Sequence, residues 1–503
     1  MGRRFAALAY ANPDKAAAAL ITVIAVFYLS TIRAGQDWLS DDFAMYIHQA
    51  KNLAEGITYT HTGYIYDRLN PEVGPRLYPP VFPLLLAPLY RWFGFDLTPM
   101  KVEVTLFWAL ALAVIYQVVK RHFSPLCALL TVGLLGLNPF FWSAKDAVLS
   151  DIPFLFFAYA SIWLITRAGE SERSPGQRDA YTIATGLLLM VTFDTRTLGI
   201  ALLLALVAYD LIRLHRISRT TLGVMGVFVV LLVLQQLVVP GDSSYLDQFS
   251  HSPRRVLLTA GRNAVYYATQ FHYLWQNGYA PALTIAVGSV IYALALLGFV
   301  VRLKECLTFL DVFFCVYFVI VAIWPSQQGI RFDIPIIPLF VAYALYGVSQ
   351  IPMVTTRRAR LMAYGVLTTV ILVSYAGQYA TSGFGPIAPS IEDASSIRLF
   401  HFVQTATPST AIFVIAKPRT LALLTGRRAS VYHQGRDDEL WSYFHAIHAT
   451  HLVIGRFFPA DHTILTPFVA RHRGAFVVIY TNPDFTVYRI RGYGRIARHV
   501  AAT

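Results

Sequence analysis

The sequence has few cysteines and few charged residues for its length. Only 3 of its 503 residues are cysteine, and Cys127, Cys306 and Cys315 all lie in or beside apolar runs. This arrangement excludes a disulfide framework and the paired cysteines of a structural zinc site. Charged residues make up 14% of the chain and apolar residues 56%, with a mean hydropathy of +0.52. Such a composition is typical of membrane proteins.

The positive charge of the chain does not indicate a nucleic-acid-binding protein. The net charge is +13, but many of the basic residues lie in short clusters between apolar segments. Binding of nucleic acid needs basic residues gathered on one face of a soluble domain. We therefore expect no nucleic acid among the partners of this protein, and expect membrane lipid instead.

Long apolar runs fill the first three quarters of the sequence. A membrane-spanning helix needs about 20 mainly apolar residues, and about eleven segments approach this length. They are 16–33, 101–119, 124–141, 152–167, 180–195, 197–212, 221–239, 281–301, 307–324, 332–350 and 361–379. The sequence therefore predicts a polytopic α-helical membrane domain over residues 1–380.

The basic clusters orient this domain. Arg3, Arg4 and Lys15 precede the first span, and every second connection after them is short and basic. These connections are 119–122, 167–178, 213–219, 302–305 and 355–360. Positively charged loops stay in the cytoplasm. We predict a cytoplasmic N terminus and, because the number of spans is odd, an extracytoplasmic C terminus.

The last part of the chain, residues 381–503, has the pattern of a small soluble α/β domain. Strand-like runs occur at 411–416, 450–456, 475–482 and 485–490, and helix-like runs at 419–426, 437–449 and 464–472. His445, His448 and His451 are spaced three apart, which can suit a metal site. The run continues into a strand-like segment, so surface histidines are the favoured interpretation.

Two outer connections are long, 34–100 and 240–280, and the first contains helix-like stretches at 42–55 and 82–92. The stretch at 42–55 is amphipathic and begins with adjacent acids, Asp41 and Asp42. One interpretation is that Ser40, Asp41 or Asp42 caps this helix. The other is that one carboxylate is a catalytic base at the boundary of water and lipid. A helix N-terminus fixes a carboxylate in place, so both can hold.

Further charged residues lie at the outer ends of other spans. Lys145 and Asp151 precede the fourth span, Arg196 lies between the fifth and sixth, and Arg331 precedes the tenth. Any one of them could be an anchor at the membrane interface. Together they place acids, which activate a hydroxyl, and arginines, which bind phosphate, on one face of the membrane.

The compartment then restricts the substrate. Nucleotide-activated sugars are not supplied outside the cytoplasm, so an activated group must arrive on a carrier that crosses the membrane. A sugar linked to a lipid phosphate fits this requirement. Direct displacement of the phosphate by an acceptor hydroxyl inverts the anomeric carbon of the sugar.

Several stretches together resemble a known superfamily of membrane enzymes. They are "SDDFAMYIHQAKNLAEG" (40–56), "GPRLYPPVFPLLLAPLYRWFG" (74–94), "LNPFFWSAKDAVLSDIPFLFFA" (137–158), "FDTRTLGIALLLAL" (193–206) and "GIRFDIPIIPLF" (329–340). The chain is similar to the GT-C glycosyltransferases, family 39-like, which include protein O-mannosyltransferases and aminoarabinose transferases. The resemblance implies a GT-C fold, a polyprenyl-phosphate sugar donor and a place in a bacterial inner membrane.

The resemblance also implies roles for particular residues. The acidic pair of the family supplies the base, which we assign to Asp42, with Asp41 as the second choice. The second outer acid is Asp151, and the arginine before a late span is Arg331, followed here by Phe332 where a tyrosine is usual. The further candidates for substrate binding are Lys145, Arg76, Tyr78 and Arg196.

Several alternatives stay open. Some members of the superfamily bind a divalent cation and others need none; we predict no metal and no cofactor, with a divalent cation as the alternative. A glycan, a lipid or a protein could each supply the acceptor hydroxyl. A polytopic transporter or flippase, or a non-catalytic membrane scaffold, would share the same topology.

Overall fold

The computed structural model describes residues 12–491, apart from 39, 169–173, 239–248, 250–251 and 277–280. Arg3 and Arg4, on which the predicted orientation partly depends, lie outside the described residues. So do parts of the connections 167–178 and 240–280, and the end of the C-terminal tail.

Among the described residues of the range 13–381 there are fifteen α-helices. They are α1 (Pro13–Ser30), α2 (Asp42–Glu55), α3 (Val81–Phe93), α4 (Leu97–His122), α5 (Pro125–Gly136), α6 (Pro139–Ala144), α7 (Asp151–Ala168), α8 (Pro175–Thr195), α9 (Ile200–Leu214), α10 (Arg219–Val238), α11 (Pro253–Gln270), α12 (Pro281–Glu305), α13 (Phe309–Ile323), α14 (Ile337–Ser349) and α15 (Arg357–Thr381).

Each predicted apolar segment is helical. Among the described residues, 7 helices are long and apolar enough to cross a membrane, namely α1, α4, α7, α9, α10, α12 and α15. The other predicted segments fall on the shorter apolar helices α5, α13 and α14 and on α8, which has 21 residues and a more polar composition. This confirms a polytopic helical membrane protein. The predicted helices at 42–55 and 82–92 are α2 and α3, within the first outer connection.

Close contact between backbones holds part of the bundle together. α12 and α14 cross at two glycines, where an added Cβ on Gly298 would lie 2.1 Å from the Tyr343 carbonyl oxygen. A Cβ on Gly347 would lie 2.0 Å from the Leu294 carbonyl oxygen. Small residues allow this approach, and dispersion contacts replace the hydrophobic effect where helices meet inside lipid.

The C-terminal region is an α/β domain, as its sequence pattern predicts. Its helices are α16 (Ala394–Ala406), α17 (Pro418–Thr425), α18 (Asp437–Ala446) and α19 (Thr466–Arg471). The strands of the sheet are β1 (Tyr64–Ile65), β2 (Ile412–Val414), β3 (Arg428–Ser430), β4 (His451–Gly455), β5 (Phe476–Thr481) and β6 (Phe485–Ile490). Their order is β1-β3-β2-β4-β6-β5. The pairs along β1-β3-β2-β4 are parallel, and those joining β4, β6 and β5 are antiparallel.

The first outer connection is interlocked with this C-terminal domain. It supplies β1, which pairs with β3 as the edge strand of the sheet. Trp38 is fully buried, and its indole N–H donates to Ser396 Oγ at 2.8 Å. A buried hydrogen bond joins His433 Nδ1 to Asp67 Oδ2 at 2.8 Å. The outer connection and the tail therefore form one structural unit above the membrane helices, while the division at 380/381 stays a prediction.

Candidate active site

Asp42 is the first residue of α2, and its two carboxylate oxygens have different partners. Oδ1 accepts a hydrogen bond from the Tyr78 hydroxyl at 2.7 Å and from Arg419 Nη1 at 3.1 Å. Oδ2 accepts from both terminal nitrogens of Arg331, each at 3.2 Å. Asp42 stays 27% exposed, so this carboxylate is surrounded by donors and still accessible.

A second acid completes the cluster. Asp151 begins α7, and its Oδ1 contacts Arg196 while its Oδ2 accepts from Arg331 Nη2 at 3.0 Å. One guanidinium, that of Arg331, thus bridges Asp42 and Asp151. The planar fork of arginine suits this arrangement, because its donors point in fixed directions to more than one acceptor.

Short irregular segments position the two arginines. Arg331 lies in a single 3-10 turn, Gly329–Phe332, that begins with a left-handed glycine of φ +65°. Arg196 adopts extended backbone where α8 ends, and its guanidinium lies 5.4 Å from the centre of the Phe332 ring. Both side chains therefore come from breaks at the outer ends of helices, where backbone direction can change sharply.

The cations around Asp42 determine its charge. Burial on its own would raise the pKa of this carboxyl group, but Arg331, Arg419 and the Tyr78 hydroxyl outweigh burial and hold the pKa at about 2. The carboxylate is therefore ionised at every physiological pH. Burial raises the pKa of the neighbouring Tyr46 to about 12, so this phenol stays protonated.

Two cavities meet at this cluster. The smaller, of about 70 Å³, contains Asp42, Tyr46, Tyr78, Arg196 and Arg331 in its wall. The larger, of about 700 Å³, lies between the outer connection and the C-terminal domain and is also lined by Asp42 and Arg331. Asp42 and Arg331 can therefore contact a molecule on either side.

Asp41 has a different environment from its neighbour. It occupies the N-cap position of α2 but makes no side-chain capping bond there, so the expectation that it caps its own helix is wrong. Its carboxylate accepts from the backbone N–H groups of Arg419 at 3.2 Å and Thr420 at 2.9 Å, and from the Thr420 hydroxyl at 2.8 Å. Asp41 therefore caps α17 of the C-terminal domain.

The structure does not bring every predicted site residue into this cluster. Lys145 is fully buried and donates to Asp146 Oδ2 at 2.8 Å. Arg76 is exposed and lines a separate cavity beside β1. Among the described residues, no group of three or more His, Cys, Asp or Glu side chains is placed to hold a metal ion. The roles of Lys145 and Arg76, and the absence of a metal, stay predictions.

Arg419 contacts Asp42 in the folded protein, but it was not among the site residues selected from the sequence. It lies in the first turn of α17, far along the chain from Asp42. The stretch "KPRTLALLTGRR" around it predicts a helix but carries no local sign of a site. Only pairing of the outer connection with the tail could have revealed this residue.

Comparisons with known proteins support the resemblance. Residues 78–239 match the family model for dolichyl-phosphate-mannose-protein mannosyltransferase. No curated protein matches the chain by sequence.

Solved structures cover nearly the whole chain. ArnT from Cupriavidus metallidurans in the apo state aligns with a TM-score of 0.58 at 15% identity, covering 94% of this chain and 97% of that one. The same protein bound to undecaprenyl phosphate gives a TM-score of 0.53 at 14% identity, with 95% and 98% covered. The archaeal oligosaccharyltransferase AglB from Archaeoglobus fulgidus, in complex with an inhibitory peptide and a dolichol-phosphate, gives 0.56 at 11% identity, with 87% and 69% covered. These likenesses show that the chain has the GT-C fold, and the family match together with the long apolar helices shows that it is an integral membrane protein.

Proposed function

We propose that this protein is a membrane glycosyltransferase that moves a sugar from a polyprenyl-phosphate donor to an acceptor hydroxyl on the extracytoplasmic face. One observation supports this proposal most directly: an ionised Asp42, in contact with Arg331, lies where two cavities meet. The transfer of a sugar requires a base for the acceptor hydroxyl and, next to it, a cation for the leaving phosphate. The likeness to ArnT bound to undecaprenyl phosphate adds support.

The acceptor hydroxyl loses its proton to Asp42 during transfer. The acceptor oxygen forms a bond to the anomeric carbon, the bond from that carbon to the phosphate oxygen breaks, and polyprenyl phosphate leaves with the electron pair. Because attack and departure occur on opposite sides of the carbon, the anomeric configuration is inverted. A positioned base of this kind contributes about 10²–10⁴-fold to the rate.

Arg331 and Arg196 stabilise the leaving phosphate. Both line the smaller cavity, and both contact carboxylates, Arg196 that of Asp151 and Arg331 those of Asp42 and Asp151. A donor phosphate competes for these guanidinium groups and offers charged oxygens in the same planar geometry. Charge that develops on the phosphate as the bond breaks then meets cations that are already in place.

Donor binding also makes Asp42 a better base. With Arg331 on its Oδ2, the carboxylate has a pKa of about 2 and holds a proton weakly. When the phosphate engages Arg331, the carboxylate loses a counter-ion, and its pKa rises toward the ordinary value. Arg331 therefore couples donor binding to the basicity of Asp42.

The larger cavity is the route that we propose for the acceptor. Its walls combine apolar side chains with amides and one lysine, including Leu69, Asn70, Gln434, Phe458 and Lys417. Such a mixed surface suits an acceptor with both hydroxyl groups and apolar parts, which a glycan, a lipid or an exported protein can each offer. We place this face outside the cytoplasm of a bacterial inner membrane, with the N terminus inside.

A transfer assay tests the proposal. Wild-type protein and Asp42→Asn, purified and reconstituted in lipid, are incubated with radiolabelled polyprenyl-phosphate sugars and a cell-envelope extract as acceptor source. We expect the wild type to release polyprenyl phosphate from one donor and to label the acceptor, and Asp42→Asn to be slower by about 10²–10⁴-fold. A parallel reaction with a chelator is expected to keep the wild-type rate.

Two other outcomes would contradict the proposal. Movement of an intact labelled donor across the vesicle membrane, without release of polyprenyl phosphate, would indicate a transporter or flippase. Neither turnover nor movement of any donor in the panel would leave a non-catalytic scaffold as the remaining function. In either case Asp42→Asn and the wild type would show no difference in transfer rate.

A further inference from the structure

The C-terminal domain sends one buried arginine into the candidate active site. Arg419 is only 2% exposed. Its Nη1 donates to the Tyr78 hydroxyl at 2.6 Å and to Asp42 Oδ1 at 3.1 Å. Its guanidinium carbon lies 4.8 Å from the centre of the Tyr64 ring and 4.9 Å from that of Tyr78. The cation is thus held between two aromatic faces with its end on Asp42.

The outer connection is shaped to admit this side chain. Gly74 has φ +96°, a left-handed conformation, and a Cβ added there would lie 2.8 Å from Arg419 Nη2. The neighbouring Pro75 carbonyl accepts from the same nitrogen at 3.4 Å. A glycine is therefore required at this point both by the backbone and by the guanidinium group that fills the space beside it.

Docking of the domain does not by itself explain this arrangement. Asp41 already caps α17 through the backbone N–H groups of Arg419 and Thr420. The side chain of Arg419 turns away from that nearby carboxylate and reaches Asp42 instead. Burying a cation is costly unless it finds charged and polar partners, so the position of this guanidinium group indicates a role at Asp42.

We propose that Arg419 is a positioning residue for the transfer reaction, which holds Oδ1 of Asp42 so that Oδ2 faces Arg331 and the reacting groups. This inference rests on the proposed function. Arg419 and Tyr78 keep their contacts with Oδ1 while the donor phosphate engages Arg331. The plane of the carboxylate then stays fixed as Oδ2 receives the proton. Because Arg419 belongs to the C-terminal domain, this domain is part of the catalytic unit.

The test compares Arg419→Met and Arg419→Lys with the wild type. Losing the guanidinium group frees the carboxylate to rotate, and small errors in position cost up to about 10²-fold in rate. We expect Arg419→Met to lower kcat by about 10–100-fold and to leave the donor KM within about 2-fold of the wild type. Arg419→Lys keeps the charge without the fork, so we expect it to recover part of kcat.

A pH profile separates positioning from loss of structure. Arg419 lowers the pKa of Asp42, so removing this cation raises the pKa. The base must be ionised to act, and the acidic limb of the rate therefore moves to higher pH in Arg419→Met. The matched control is Arg427→Met in the same domain, whose side chain donates to the carbonyl oxygens of Gln404 and Thr407. We expect this control to keep the wild-type profile.

A second readout does not depend on transfer. A carbodiimide modifies protonated carboxyl groups, and peptide mass spectrometry reports how much of Asp42 reacts at each pH. We expect modification of Asp42 to extend to higher pH in Arg419→Met than in the wild type or Arg427→Met. If the wild type turns over no donor, but the modification curve of Arg419→Met is still shifted from that of the wild type, the proposed function is rejected. The contact between Arg419 and Asp42 is supported in that case. An unshifted modification curve, or an equal kcat loss in Arg427→Met, would overturn the inference.

Discussion

Two groups of charged residues lie at helix ends beside the connection 34–100, which we predict to be extracytoplasmic, and the most exposed members of the two groups differ in access. We name them the open cluster, formed by Asp42, Asp151, Arg196, Arg331 and Arg419, and the closed cluster, formed by Arg33, Lys101, Lys145 and Asp146. In the open cluster the side chains of Asp42 and Arg331 are 27% and 29% exposed. In the closed cluster those of Lys145 and Asp146 are 0% and 1% exposed.

The closed cluster satisfies its charges internally. Asp146 accepts from the backbone N–H of Arg33 at 3.0 Å, from Arg33 Nε at 2.7 Å and from Lys145 Nζ at 2.8 Å. Lys101 Nζ donates to the carbonyl oxygens of Arg33 at 2.7 Å and Gly35 at 2.5 Å. These bonds tie the segment after α1 to α4 and to the connection between α6 and α7.

The difference shows that residue type alone does not mark a catalytic site. Both clusters combine acids with cations. The open cluster lines cavities of about 70 and 700 Å³, so under the proposed function its arginines exchange a carboxylate for a phosphate. Three substitutions test this contrast.

Arg331→Gln is expected to have the largest effect. It removes the cation shared by Asp42 and Asp151, and with it two donors to the leaving phosphate. Loss of a donor of this kind costs about 10²–10³-fold in rate. Measured kcat/KM for the donor should fall by this amount, and Arg331→Lys should recover only part of it. A variant with wild-type kcat/KM would place the phosphate elsewhere.

Asp41→Ala is expected to have a smaller effect, and mainly on the attachment of the C-terminal domain. Asp41 caps α17, and an N-cap is worth about 0.5–2 kcal/mol. Limited proteolysis should cut the connection between α15 and α16 faster in this variant, while kcat falls only a few-fold because Asp42 is intact. A loss of rate as large as that of Asp42→Asn would instead assign the base to Asp41.

Lys145→Met is expected to have the smallest effect. Asp146 keeps its two bonds to Arg33 after this change, so the free energy of unfolding should fall by about 1–2 kcal/mol. The donor KM should stay at the wild-type value, because Lys145 lies in the closed cluster. An increase in donor KM with unchanged stability would restore Lys145 as a substrate-binding residue.

The sequence predicted most of the fold, because its signals are local. Apolar runs marked each membrane helix, and the repeat of apolar residues from Phe43 to Leu53 predicted α2. The strand pattern found β2, β4, β5 and β6 but not β3 or β1. β1 is two residues long and pairs only with β3, which lies more than three hundred positions away in the sequence. A strand of two residues is too short to show the alternation of apolar and polar residues that marks a strand in the sequence.

The site residues also divide into those with a local signal in the sequence and those that depend on distant contacts. Asp42, Asp151, Arg196 and Arg331 were selected because the predicted outer ends of spans share one face, and Tyr78 was selected from the family resemblance. The fold brings these five together. Arg419 was missed because its position depends on docking of the C-terminal domain. Lys145 and Asp151 are close neighbours in sequence, yet they belong to different clusters. The turn between α6 and α7 sends their side chains to different partners, and charge patterning does not resolve that choice.

The most direct test of the account is a comparison of Asp42→Asn with Asp146→Asn, measuring the donor transfer rate per folded molecule together with the free energy of unfolding. We predict that Asp42→Asn lowers the rate per folded molecule by about 10²–10⁴-fold, and that it also lowers stability, because the buried Arg419 loses its charged partner. Asp146→Asn should lower stability by about 3–5 kcal/mol, because it breaks buried ion pairs, and leave the rate of the folded fraction near that of the wild type. Equal losses of rate in the two variants, or a wild-type rate in Asp42→Asn, would contradict the account.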